Sequence, residues 1–421
     1  MAGHRKLGPV LATIVVAGNM IGSGVFLLPA TLASVGSLTV LGWVIGAVGA
    51  LALALLFGKL AQRKPLAGGP ATYAYDAFGR FAGSQASLWY WTCCLIGNVA
   101  IALAASSYLI SFLGFEATPA MGALTTVALL WLVTLVNLVS PRFVGQVDGP
   151  LLIVGMIPLL LAITIGWTAF DAMQFRESWN VSGEPLYYAL PHSLALVFWA
   201  FTGLESASVA AAVVDKPERN VRIATIAGVC IAAVVYIAAS IVIFGIAPAD
   251  EIAASSAPFA LAAAKALGPV AGPVVALCAA LKALGTLTGW VLMTAQVSHA
   301  AAVRGLLPSV FARTRAGDTP VAGLIIAGVL GTAAIVLTMA PTLGRQFGLL
   351  AEASTLFALM TYLAACAAAI KYRVRGEIAL AVTGGLFCIF VIAWSTRPVL
   401  IATGICAVVL LGLSRPLSRE R

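Results

Sequence analysis

Gly18-Asn19-Met20-Ile21-Gly22-Ser23-Gly24-Val25-Phe26 lies in the middle of an otherwise unbroken apolar stretch running from Pro9 to Ala33. A bilayer-spanning helix does not call for three glycines, an asparagine and a serine within seven residues at its centre. Such a break strips backbone N–H and C=O groups of their helical partners. Hydrocarbon tolerates that only where the freed groups face protein, a cavity or a bound solute. A helix interrupted at mid-depth is the usual place for a secondary transporter to hold its substrate, so the stretch points to transport of a small molecule.

Composition bounds the class. Apolar residues make up 61% of the 421-residue chain and charged residues only 9%, where a soluble domain carries roughly a quarter charged. With a mean hydropathy of +1.04, the chain reads as an all-α integral membrane protein. At roughly 20 residues per span it holds about twelve helices. The spans fall near 9–34, 39–60, 82–113, 119–139, 147–170, 190–213, 221–247, 267–301, 320–340, 347–370, 377–395 and 397–414. The seven cysteines all lie inside apolar segments and read as reduced and buried. Three histidines without Cys/His spacing predict no metal and no cofactor.

Charge sets the direction of the spans. Nineteen of the 24 Lys and Arg residues fall at the two termini or in alternate loops, around 59–80, 142, 216–222, 304–315 and 371–375. The opposite loops hold only Arg176, Lys265, Arg345 and Arg397. The positive-inside rule then predicts cytoplasmic termini at a bacterial inner membrane. The net charge of +9 is explained by topology, with no nucleic-acid partner.

A second interruption falls in the sixth span, at Trp199-Ala200-Phe201-Thr202-Gly203-Leu204-Glu205-Ser206-Ala207-Ser208. It brings a central glycine, hydroxyls and a carboxylate into a place that should be apolar. The first and sixth spans enter from opposite faces and each is broken near its middle. That pattern predicts a single transmembrane domain of two inverted five-helix repeats, about 9–170 and 190–370, with the site at their interface and two further helices over 377–414.

These motifs carry a family resemblance. The run from Gly18 to Ala30 resembles the first helix of the amino acid–polyamine–organocation superfamily, and more narrowly the basic amino acid/polyamine antiporters that exchange arginine for agmatine. The match extends through Gly68-Gly69-Pro70, Tyr90-Trp91, Ile96-Gly97-Asn98, the sixth-span motif, Lys216-Pro217-Glu218-Arg219-Asn220 and Gly305-Leu306-Leu307-Pro308. The resemblance implies an alternating-access fold with broken helices one and six, a homodimer formed through the last two helices, and lipid and small amino acids or amines as the only other partners.

It also implies roles. The Ser hydroxyl and Gly amide that hold a substrate carboxylate fall on Ser23 and Gly24, next to exposed N–H groups suited to an anion. The carbonyls near Ile21, Trp199 and Thr202 would accept from the α-ammonium. Trp290 matches the tryptophan that stacks on the distal cation, and Trp199 the one that gates above the site. Asn98 and Ser354 match polar residues near the far end of the substrate, with Cys93 and Cys94 beside them. Tyr90 and Glu205 fall on gating positions, Glu205 on a glutamate linked to the proton.

Glu205, Lys282 and Glu352 lie deep in apolar spans, each at a cost on the order of 3 kcal/mol at the bilayer centre, and so read as functional. Lys282 and Glu352 depart from the family pattern, which has small residues at both places, and Thr202 stands where it has isoleucine. Lys282 and Glu352 are expected to pair and brace the outer vestibule. No nucleophile–base pair or metal cluster is apparent, so the chain is not read as an enzyme. The expected function is exchange of a cationic, arginine-like amino acid for its decarboxylated, agmatine-like amine or another amino acid. The alternative is a proton-coupled or uncoupled permease for neutral amino acids.

Overall fold

Proline at position 9 opens the first helix, where its missing N–H costs nothing. That helix, α1 (Pro9–Met20), stops after 12 residues, or about 18 Å at 1.5 Å per residue. The computed structural model describes residues 8–22, 24–63, 69–139, 141–205, 214–315, 319–373 and 377–419. At the break the Gly22 N–H turns back onto the Met20 carbonyl at 2.6 Å. The chain resumes as α2 (Gly24–Leu32), bent by 40° from α1.

The remaining helices are α3 (Thr39–Arg63), α4 (Pro70–Phe78), α5 (Arg80–Phe112), α6 (Pro119–Val139), α7 (Pro141–Thr164), α8 (Ala172–Glu177) and α9 (Leu186–Trp199). They continue as α10 (Pro217–Ile246), α11 (Ala249–Ala254), α12 (Pro258–Leu267), α13 (Ala271–Val303), α14 (Val321–Leu337), α15 (Leu343–Lys371), α16 (Ile378–Ala393) and α17 (Arg397–Arg419). One isolated bridge joins Arg315 to Thr319. Helix occupies each of the twelve apolar segments read from the sequence. Six helices (α3, α5, α6, α10, α13, α15) are each long and apolar enough to cross a bilayer. Two bent pairs, α1 with α2 and α16 with α17, add to them, the second bent by 113°.

The sixth span breaks by a different route. After α9 ends at Trp199, the N–H groups of Ala200, Phe201, Thr202 and Leu204 each bond three residues back. The helix tightens into short turns, and at Gly203 the backbone enters the left-handed region at φ +99°, which costs a glycine little. A Cβ there would stand 3.6 Å from the Asn19 carbonyl and 3.5 Å from the Trp290 ring. The two breaks therefore touch.

Tyr236 of α10 ties them together. Its hydroxyl lies against the Met20 carbonyl at the first break and 3.0 Å from the Ala200 carbonyl at the second. Trp43 and Phe201 pack on its ring with centroids 4.9 and 5.5 Å away. Around this pair of breaks, α5 is the most enclosed span, 89% buried over its apolar window, and packs against α4, α6, α13 and α15.

Tyr236→Phe keeps the ring and removes the donor from two buried carbonyls. Because the Met20 carbonyl still accepts from Gly22, it is expected to lower stability by about 1 kcal/mol, the net worth of one hydrogen bond, as read by thermal unfolding in detergent.

Candidate functional site

A cavity with about 550 Å³ of empty space opens where the two breaks meet α5, α13 and α15. Asn19, Met20 and Gly22 line it from the first break, and Trp199, Ala200, Thr202 and Glu205 from the second. Tyr90, Cys93, Cys94 and Gly97 line it from α5, Thr286 and Trp290 from α13, and Ser354 and Tyr362 from α15.

Glu205, 1% exposed, is the only charged residue among the described lining. Its two oxygens are held separately: Tyr90 donates to Oε1 at 2.7 Å and Tyr362 to Oε2 at 2.6 Å. Two hydroxyl donors thus fix both oxygens of the carboxyl group in place. Helices α5 and α15 thus grip the segment after the second break through one side chain.

Tyr90 also lines a second cavity of about 730 Å³, with Thr72, Gln296 and Arg304 on its walls. The tyrosine is the partition between the two spaces. The end beyond it is strapped by α4. Tyr372 donates to Asp76 at 2.6 Å, Lys371 to the Ala77 carbonyl at 2.6 Å, Arg80 to the Gly305 carbonyl at 3.0 Å, and Arg304 to Thr72 at 3.3 Å. Burial, and after it the Asp76 carboxylate, hold the Tyr372 hydroxyl above the usual tyrosine range, so it remains a donor to Asp76.

Cys93, Cys94, Trp199, Thr202, Trp290, Ser354, Tyr90 and Glu205 come together in this cavity. Ser354 donates to the Cys93 carbonyl at 2.9 Å and lies 3.3 Å from where a Cβ on Gly97 would stand. Trp199 packs edge-on against Phe347, with centroids 5.2 Å apart. Asn98 stands behind the lining, donating to Thr294 at 2.8 Å. Ile21 is buried beside the two lining residues Met20 and Gly22, and Gly24 opens α2. Ser23 lies outside the described residues. The Trp199 carbonyl, expected to receive an ammonium, already accepts from the Thr202 N–H at 3.0 Å and its hydroxyl at 2.6 Å. The tightened turn closes that acceptor.

The expected Lys282–Glu352 pair does not form. Glu352 accepts from the backbone N–H of Thr396 and, at 2.8 Å, from its hydroxyl, at the turn between α16 and α17. The Lys282 ammonium donates to Thr286 at 3.0 Å, one turn further along α13 and away from that turn. Helix α5 packs against both α13 and α15.

Tyr362 and Thr286 escaped the sequence reading, yet each left a signal. A tyrosine buried in an apolar span must find a partner for its hydroxyl, and Thr286 stands one turn before Trp290 on the same helix face. Lys282, Thr286, Trp290 and Thr294 recur every four residues as one stripe.

Gly97→Ala would set a methyl group 3.3 Å from the Ser354 hydroxyl. The variant is expected to fold but to lose about tenfold in substrate affinity, at the low end of the cost of overpacking a filled site, as measured by binding to purified protein.

Residues 7–413 match the family described as amino acid permease. The chain is similar to the cadaverine/lysine antiporter of Escherichia coli strain K12, 34% identical over 98% of this chain and 95% of that protein. It is also similar to the putrescine transporter PotE of the same strain, 36% identical over 87% of this chain and 84% of that one. The PotE of Haemophilus influenzae is 35% identical over the same shares. With its broken helices, central cavity and match along nearly the whole chain, the protein belongs to the amino acid permease family.

Proposed function

We propose that the protein is an antiporter that exchanges a cationic amino acid for its decarboxylated amine across a bacterial inner membrane. One observation carries the reading: the described cavity lining holds one ionisable acid, Glu205, together with the indoles of Trp199 and Trp290, and no cationic side chain. Such a lining repels no ammonium and offers it one acidic side chain and two π faces. The names of the similar proteins lend support, since they print lysine, cadaverine and putrescine.

In this reading the amino acid's carboxylate meets the N–H groups at the start of α2, where a helix N-terminus favours an anion. Its distal cation lies between Trp290 and the α5–α15 wall of Cys93, Gly97 and Ser354. The amine product lacks the carboxylate and is held through its charge by Glu205 and the indoles. Arginine with agmatine, lysine with cadaverine, and ornithine with putrescine share this chemistry. The two broken spans would belong to inverted repeats that rock about the cavity, with Tyr90 opening toward the end that carries both termini. The excess of Lys and Arg at that end supports placing it in the cytoplasm.

Counterflow into proteoliposomes loaded with unlabelled lysine, arginine, ornithine, their amines or leucine tests the reading. Exchange confined to cationic solutes is expected, and leucine exchange at a comparable rate would point to the neutral permease. Trp290→Leu should weaken cationic substrates by about 1–2 kcal/mol, the worth of a desolvated cation–π contact. Glu205→Gln is expected to flatten the pH dependence of exchange while amino acid binding survives. An unchanged pH profile would remove Glu205 from proton linkage.

A further inference from the structure

Beyond Tyr90 lies a space whose chemistry is the reverse of the central cavity. Its described lining carries one charge, the Arg304 guanidinium, and no acid, where the central lining carries Glu205 and no cation. It is also the roomier of the two, with about 730 Å³ of empty space against about 550 Å³. Thr72 and Arg304, joined at 3.3 Å, form its wall at the strap. A guanidinium has five N–H donors, so Arg304 can hold Thr72 and still meet a carboxylate.

Ser87 lines the same space, three residues before Tyr90 on one face of α5. It is 4% exposed, and its hydroxyl bonds no other described residue. Buried hydroxyls ordinarily have a partner, and this one borders empty space instead. On α13, Met293, Gln296, Val297 and Ala300 recur every three or four residues along the wall. They lay an apolar run with one amide between the level of Trp290 and the guanidinium.

We propose that the space beyond Tyr90 is a second solute site, which takes the amino acid by its carboxylate and does not retain the amine. The carboxylate meets Arg304, the aliphatic stem lies along Met293 and Val297, and Ser87 and Gln296 accept from ammonium groups. An amine brings only positive charge to the same guanidinium and is repelled. The site thus separates two solutes that the central cavity holds alike, by the group that decarboxylation removes. Amino acid held there stands in the way out of the central cavity. Its accumulation at the strapped end slows exchange, and its decarboxylation relieves the block. Which solutes arrive rests on the antiporter reading; the carboxylate site itself does not.

The test uses purified full-length protein and hexanoate, a carboxylate with an aliphatic stem and no ammonium, which separates this site from the central cavity. Titration calorimetry on wild type should show hexanoate binding once per chain, and saturating cadaverine should not displace it. No binding, or displacement by cadaverine, overturns the proposal. Equilibrium dialysis with labelled solutes should find two lysines but one cadaverine per chain, with hexanoate displacing one of the lysines. A single lysine that hexanoate leaves in place overturns the assignment to the amino acid. Arg304→Gln should weaken hexanoate by about ten- to a hundredfold, the worth of a hydrogen bond to a charged group, and leave cadaverine bound. Should that variant disturb the strap, Ser87→Met fills the wall from α5 and touches none of the strap's bonds. It should abolish hexanoate binding and keep cadaverine. Hexanoate bound at wild-type strength by either well-folded variant refutes the site. Hexanoate binding without lysine–cadaverine exchange would defeat the antiporter reading alone, and exchange without hexanoate binding would defeat this site alone.

Discussion

A carbonyl or N–H left without a partner in hydrocarbon is expensive enough that spanning segments are continuous helices wherever lipid surrounds them. Two spans of this protein stop part-way, and the rest of the interior is arranged around what those stops leave behind. Tyr236 meets a carbonyl from each break with one hydroxyl. Gly203 lets the second break lie against the first. The remaining walls are supplied by α5, α13 and α15, which close a cavity on the two interrupted ends. The site is the space that cannot be filled by helix once two helices have been cut.

The buried charges are satisfied in three different ways, which separates their roles. Glu205 is held by two phenols from α5 and α15 at the wall of the central cavity. Glu352 is spent on a backbone N–H and a hydroxyl at the turn of the last two helices. Lys282 reaches the cavity only through Thr286. Opposite charges in one bundle are a pair only where their head groups meet, and here each is bonded elsewhere.

At one end of the bundle the closure is built from ordinary polar contacts. Tyr372 on Asp76 and Lys371 on Ala77 fasten α4 to α15, and Arg80 on Gly305 fastens the start of α5 to the end of α13. These are short, partly solvated bonds that can be exchanged for water at modest cost. Tyr90 sits just inside them, shared by the central cavity and the space beneath the strap. The Tyr90–Glu205 bond thus lies at the boundary between the two spaces.

The sequence by itself determined that the chain lies in a membrane, where its helices run, and that the first and sixth are interrupted, because hydropathy and helix-breaking glycines act locally. It also marked Trp199, Trp290, Cys93, Ser354 and Glu205, since polar or aromatic residues in apolar spans need a reason to be there. Only the tertiary structure decided which of them share a wall. Tyr362 became a ligand of Glu205 because α15 lies opposite α5, Asn98 fell one layer back onto Thr294, and the Trp199 carbonyl was closed by its own turn. The pairing expected of Lys282 and Glu352 failed for the same reason. Spacing along a helix sets the depth and face of a charge, but which helix stands beside it depends on long-range packing, and that is not written in any one segment.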